Sequence, residues 1–342
     1  MFLIARYSYM LFHMRPYIFS FLFLLFALFI SLTVGSVFLP LQDIFAVIKG
    51  SGSTLATNIV WNIRLPRTVL VALTGMALGG SGAAYQGLFR NPLADPFLIG
   101  ISSGAGLGAV LAMSIDWTYS YWGLLAIPLA AFIAALLTVA VVYFLARVGQ
   151  TTPITNLILA GVAVSAFATS LMSFLMLRSD GELRRAMSWL MGGSTQLGWE
   201  FILIILPYLL IGLGVLILSG HTLNLLQFGD EQAQQLGLNV SRAKRTILIM
   251  ASMTTAAAVA FAGIIGFLGL IVPHVVRLWF GSDYRKLLPL SIISGATGLL
   301  FSDVIARILL APQEIPVGII TSLAGAPFFL WVLRRSKTQG LW

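Results

Sequence analysis

Asp303 and Arg307 stand four residues apart in an apolar run. That spacing puts a carboxylate and a guanidinium on one helix face, where they can pair. Arg64 and Arg67 flank Pro66 in "RLPR", at the edge of another apolar run, and Gln86 and Asn156 are the other main polar side chains inside hydrophobic stretches. Polar groups in such places are costly and tend to serve function. A guanidinium holds a carboxylate through paired charge-assisted bonds, so the chemistry on offer at Asp303 and Arg307 is an internal ion pair. Catalysis is poorly supplied. The absence of cysteine removes disulfides, thiolate metal sites and a cysteine nucleophile. His13, His221 and His274 are scattered, and neither H-E-x-x-H nor the phosphate-cradling G-x-x-x-x-G-K-[ST] occurs. Gly104-Ala105-Gly106 follows no predicted strand, so it reads as close helix packing and not as a dinucleotide site. Asp303 is the one carboxylate suited to ion coupling, which leaves an ion-driven mechanism short of groups.

The elements that position these residues are membrane helices. Hydrophobic residues make up 59% and charged residues 9% of the chain, where a soluble domain carries about a quarter charged. Runs of about 20 apolar residues meet the thickness of a bilayer core. Ten are predicted, at 17–36, 66–88, 97–114, 123–147, 153–177, 199–219, 246–262, 264–280, 288–309 and 316–334, in a single all-α, polytopic membrane domain. The seventh and eighth form nearly one tract, broken mainly by Gly263. With both termini cytoplasmic, the inner side holds Arg6, Arg15, Arg90, Arg147, Arg242, Lys244, Arg245, Arg277, Arg285, Lys286, Arg334, Arg335 and Lys337. The outer side holds Lys49, Arg64, Arg67, Arg178, Arg184, Arg185 and Arg307. Fusing the seventh and eighth spans would move the C-terminal basic tail outside, against the positive-inside rule. The net charge of +9 is therefore read as cytoplasmic basic excess and not as a nucleic-acid surface. The run from Tyr17 to Val34 is too long for a signal-peptide core and is expected to stay as the first span.

Two further patterns shape the bundle. In "RNPLADP", Pro92 and Pro96 cannot sit inside a regular helix, so the stretch reads as an inner turn in which Arg90 and Asp95 stay hydrated. "RTVLVALTGMALGG" from Arg67 and "RTILIMASMTTAAA" from Arg245 begin alike but enter from opposite sides. That is a weak inverted-repeat character.

Six segments in order carry a resemblance over about residue 60 to the C-terminus: "RLPR", "RNPLADPFLIGISSGAG", "GDEQAQQLGL", "GFLGLIVPHVVR", "SDVIAR" and "EIPVGIITSLAGAPFF". The chain resembles the permease subunits of bacterial ABC importers for iron-siderophores, haem and cobalamin. The resemblance implies a homodimer or close heterodimer of ten-helix subunits in the plasma membrane. It also implies two cytoplasmic ATPase partners and an extracytoplasmic substrate-binding protein. The chain would then be no enzyme and need no cofactor, because ATP is hydrolysed by a partner.

The resemblance assigns roles residue by residue. Arg64, Arg67 and Arg307 would meet carboxylates of the binding protein; lipid snorkelling and an Asp303–Arg307 pair are the plainer alternatives. Gly229, Asp230, Glu231, Ala233, Leu236 and Gly237, in the cytoplasmic loop at about 220–245, would form a short helix seated in the ATPase. In this reading the acids lie at the helix N-terminus, Gly237 terminates it, and Ala233, Leu236 and Gly237 form an apolar face. Without the resemblance the stretch reads as a solvated loop helix. Asn156, Ser165, Thr169 and Met172 on the fifth span and Thr321 and Ser322 on the tenth would line the pathway. Ordinary helix packing is the alternative for each. The expected cargo is a bulky metal chelate, foremost a ferric siderophore. Cobalamin or haem stands second, and a secondary transporter is remote.

Overall fold

The computed structural model describes residues 2–115, 121–149, 151–177, 183–193 and 198–339, with side chains described from Arg15 to Arg334 apart from residues 121–124 and 183. The topology charges Arg6, Arg178, Arg335 and Lys337 lie outside the described side chains. In chain order the helices are α1 (Phe2–Thr33), α2 (Leu41–Ile48), α3 (Thr54–Asn58), α4 (Leu65–Leu88), α5 (Ile101–Met113), α6 (Tyr121–Ala146), α7 (Ile154–Leu177) and α8 (Leu183–Leu190). There follow α9 (Trp199–Leu218), α10 (Gly220–Leu226), α11 (Asp230–Gln235), α12 (Val240–Ala262), α13 (Leu268–Phe280), α14 (Tyr284–Ile308) and α15 (Val317–Gln339).

Small residues put α4 at the centre. It packs against α14, α12, α13 and α9, and its glycines allow backbones to touch. A Cβ on Gly75 would collide with the carbonyl oxygen of Gly295 on α14, one on Gly79 with that of Ser291, and one on Gly82 with that of Gly269 on α13. Inside a membrane no hydrophobic force separates helix from lipid, so close van der Waals approach of this kind drives association. α12 is nearly as enclosed, through Ala251 and the run from Ala256 to Ala262. By contrast α1, α7 and α15 present most of their surface outward, with Phe21, Phe26, Phe167 and Leu330 exposed.

Among the described residues, eight helices are long and apolar enough to cross a membrane. α5 and α13 have 13 residues each. At 1.5 Å per residue that is about 20 Å, short of a core of about 30 Å. The stretches expected at 97–114 and 264–280 are thus not full helical spans. A 3₁₀ turn, Pro96–Ile99, precedes α5, and the non-helical run 263–267 precedes α13. The break at Gly263 is real: its φ is +78°, and Phe267 adopts φ +65°, left-handed backbone that ends α12 and redirects the chain.

Smaller elements escaped the hydropathy pattern. α2 and α3 build a separate apolar cluster from Leu39, Ile44, Val47, Ala56 and Val60. A π-helical turn, Ile59–Arg64, feeds α4. The "RNPLADP" turn is more enclosed than expected. Asn91 Oδ1 accepts from Leu93 N–H (2.9 Å), and Asp95 Oδ1 caps the 3₁₀ turn at Phe97 N–H (2.8 Å). Arg90 is exposed, but Asp95 is half-buried, and loss of hydration pushes its carboxyl up to about 6 against the opposing pull of the Phe97 N–H.

Candidate functional site

At one end of the bundle, α1, α4, α14 and the loop before α15 bring together Arg64, Arg67, Asp303, Arg307 and Glu314. Arg67 is the hinge of the cluster: its Nη2 lies 2.9 Å from Asp303 Oδ1 and its Nη1 2.6 Å from Glu314 Oε2. Glu314 also accepts from Ser36 Oγ at 3.2 Å. Arg307 Nε lies 3.0 Å from Asp303 Oδ2, so Asp303 serves two guanidiniums in a nearly dry site (its side chain is 3% exposed).

The three arginines are not equivalent. Arg64 is 5% and Arg307 3% exposed. Arg64 donates to the carbonyls of Leu32, Thr33 and Val37, and Arg307 to those of Ser31 and Val34 and to Ser31 Oγ. The π turn before α4 rotates Arg64 inward, and the chain leaving α1 wraps both guanidiniums. A partner carboxylate would have to displace these carbonyls; in this conformation Arg64 and Arg307, expected as docking groups, act as braces. Arg67 keeps an exposed edge (20%) beside Glu314. The sequence motif contained Glu314, yet nothing in the spacing linked it to Arg67, 247 positions away.

At the other end, α11 spans Asp230–Gln235 with Asp230 and Glu231 in its first turn. Gly229 enters it at φ +103° and Gly237 leaves it at φ +86°. Gly237 N–H bonds to Gln234 O (2.9 Å) and Leu238 N–H to Ala233 O (3.0 Å), the paired closure of a Schellman motif. The apolar face differs from expectation. Ala233 is fully buried against the chain itself, while Leu236 is 62% exposed. The apolar side chain offered outward is Leu236, and Phe228, two residues before the helix, is exposed as well. Lys244 of α12 pairs with Asp230 and ties the short helix to a long one.

The pathway candidates divide as well. On α7, Ser165 and Met172 point inward. A Cβ on Gly100 would come 3.1 Å from Ser165 Oγ, and one on Gly106 3.0 Å from Met172 Sδ. Those two therefore fill gaps beside α5 and are half-buried. Thr169 is exposed, with Ser170 and Ser173 beside it. Asn156 is half-buried, its Nδ2 3.5 Å from Ala146 O. Thr321 on α15 is buried and donates to Gly318 O (3.1 Å), whereas Ser322 borders an open apolar cleft with Ile264, Gly266, Ile319 and Pro327. Among the described residues no group of three His, Cys, Asp or Glu is placed to hold a metal ion.

A bundle that is helical among the described residues, with paired charges at one end, a tethered short helix at the other and two open helix faces, fits a transport subunit. The model of the FecCD transport family matches residues 23–335. The chain belongs to this family. The cobalamin import system permease of Halobacterium salinarum is 46% identical over 286 residues, which cover 84% of this chain and 76% of that protein. The hemin transport system permease of Yersinia pestis is 44% identical over 289 residues, 82% of this chain and 84% of that protein. A solved metal-chelate-type ABC transporter in an inward-facing conformation aligns with TM-score 0.81 and 30% identity, over 94% of this chain and 98% of the other. As a FecCD permease the chain is a multi-pass membrane transport subunit, and the ATPase of such importers is a separate subunit.

Proposed function

We propose that this chain is the pathway-forming subunit of an importer for a bulky metal chelate. It would work as one of two permease subunits in the cytoplasmic membrane, with both termini cytoplasmic. An ATPase pair would bind at α11 and a substrate-binding protein at the Arg67 end. The observation that carries the reading is α11, a helix closed by Gly237 and pinned by Lys244, offering Leu236 outward. A rigid peg of this kind can transmit a partner's closure as a body. The docking role expected of three arginines narrows to Arg67, the one with an exposed edge. On the pathway side, Thr169, with Ser170 and Ser173 beside it, and Ser322 at its apolar cleft offer small hydroxyls on open faces, suited to weak contacts that let a large solute leave.

Within the chelate class, the family-level expectation is a ferric siderophore. A second reading, a metallated tetrapyrrole, is favoured by the names of the two relatives above, which concern cobalamin and hemin. Uptake of radiolabelled ferric siderophore, haem and cobalamin in a strain lacking this chain, with and without its return, separates them. Loss of none of the three would sink the chelate assignment.

A further inference from the structure

α2 carries more apolar surface than its own cluster covers. Ile44 and Val47 face inward and share a cluster with Ala56 and Val60. Leu41, Phe45 and Ile48 fall within an arc of about 60° on the same helix, and all three are exposed, Ile48 at 71%. Phe38, just before the helix, is 87% exposed, and Leu55 on α3 is exposed as well. Gln42 and Asp43 are turned away from this stripe and are exposed too. α2 thus has a packed face, a polar face and an apolar face that the described residues leave open.

Two tryptophans give the level of the stripe. α9 has 20 residues, and at 1.5 Å each it spans about 30 Å, the thickness of a bilayer core. Trp199, its first residue, then sits at the boundary. Its Nε1 donates to Trp61 O at 3.1 Å, and the two indoles lie 6.4 Å apart. Tryptophan settles at the headgroup level of a bilayer, so the pair marks that level at the Arg67 end. Val60, which shares the α2 cluster, adjoins Trp61. The stripe also continues a lipid-facing surface, because α1, which leads into α2, exposes Phe26 and Phe29. A helix with an apolar face opposed by a polar one lies in the interface, its apolar side among the lipids.

We propose that α2 is an interfacial helix whose partner is the lipid leaflet at the Arg67 end. Phe38, Leu41, Phe45 and Ile48 dip among the upper acyl chains, while Gln42 and Asp43 face water. The stripe holds no cation, so apolar insertion and not headgroup charge supplies the binding. α2 follows directly on the chain that offers the Val37 carbonyl to Arg64, so the lipid contact steadies that brace. The proposal needs only that the chain spans a membrane, and it is independent of cargo, ATPase and binding protein.

The natural chain has no cysteine, so single substitutions can each carry a nitroxide in the full chain. The variants Leu41→Cys, Phe45→Cys, Ile48→Cys, Gln42→Cys and Asp43→Cys are labelled and reconstituted in phosphatidylcholine vesicles. Collision rates with oxygen and with a water-soluble nickel chelate are then compared. Labels on the stripe should lie about 5–10 Å into the headgroup–acyl boundary, with oxygen collisions favoured severalfold over those at Gln42 and Asp43. Melting temperature identifies any labelled variant that misfolds. At such a position the unlabelled cysteine is read by a membrane-impermeant maleimide, with protection expected on the stripe and reaction on the polar face. Stripe positions as open to the nickel chelate as Gln42 overturn the proposal. So does a stripe that is open in the chain alone and shielded only when a substrate-binding protein is added, which would make it a docking surface. Spin–spin broadening between stripe labels without an oxygen preference also overturns it, by making this face a contact between two copies of the chain.

Discussion

Arg67 and Asp303 meet at 2.9 Å across the α4–α14 contact, and the same guanidinium reaches Glu314 in the loop leading to α15. One side chain thus joins the central helix, its closest neighbour and the start of an outward-facing helix. The two ends of the bridge differ in burial, and that predicts a graded response. Asp303 is nearly dry and holds Arg307 as well, so Asp303→Asn leaves two guanidiniums undercompensated and should cost about 3 kcal/mol. Glu314→Gln acts at a more exposed pair and should cost about 1 kcal/mol or less. Thermal unfolding in detergent measures both; equal losses would show that burial does not set the strength of this cluster.

Backbone contact between α4 and α14 predicts a sharp glycine pattern. Gly75→Leu or Gly295→Leu should prevent the bundle from assembling, because each side chain would meet the partner's carbonyl. Gly214→Leu, where a Cβ meets nothing within 4 Å, should be accepted. Monodispersity after solubilisation reports the outcome. Normal assembly of both α4–α14 variants would refute the packing described.

Asp95 predicts a pH dependence. Its carboxyl is raised from 3.8 to about 6 in the folded chain, so between those values the folded state binds more protons than the unfolded. Stability is then greatest below about pH 4, falls as pH rises to about 6, and is flat above. The amplitude is roughly 1–2 kcal/mol once partial exposure is allowed for. Asp95→Asn keeps an acceptor for Phe97 N–H and carries no charge, so it should flatten this part of the profile. An unchanged profile would assign the slope to other groups.

If the exposed face of α7 lines the pathway as proposed, cysteines at Thr169 or Ser173 should react with a membrane-impermeant thiol reagent in the assembled importer, and the natural chain has no cysteine to interfere. Cysteines at Ser165 or Met172, which fill gaps against α5, should react at least tenfold more slowly. The reverse order would place the pathway on the other face of α7.

Much of this was legible in the chain because a bilayer imposes a simple rule: satisfy the backbone internally over a fixed apolar length. The long helices, the interruption at Gly263 and the stop at Gly237 follow from that rule and from glycine's backbone freedom. Facing was not legible. Hydropathy alone did not reveal that a π turn swings Arg64 inward, or that the end of α1 offers its carbonyls to Arg64 and Arg307. Nor did it reveal that Ala233 packs inward while Leu236 points out. These depend on contacts between residues far apart in sequence, and on α5 and α13 being too short to obey the 20-residue template. Glu314 was hidden for the same reason, since its partner lies 247 positions away.

Leu236 separates folding from coupling. At 62% exposure its replacement by Glu should shift the melting temperature little, while stimulation of the partner ATPase by loaded binding protein should fall at least tenfold. Gly237→Ala, by contrast, forces a Cβ into left-handed backbone and should cost about 1 kcal/mol. Full stimulation in a well-folded Leu236→Glu importer would remove α11 from the coupling route.

The most direct measurement is chelate uptake into proteoliposomes holding this chain with its ATPase subunits, with loaded binding protein on the Arg67 side. Uptake should require ATP hydrolysis and vanish when the ATPase is omitted, whatever proton or sodium gradient is imposed. Uptake at full rate by this chain alone, driven by an ion gradient, would contradict the account and make it a secondary transporter.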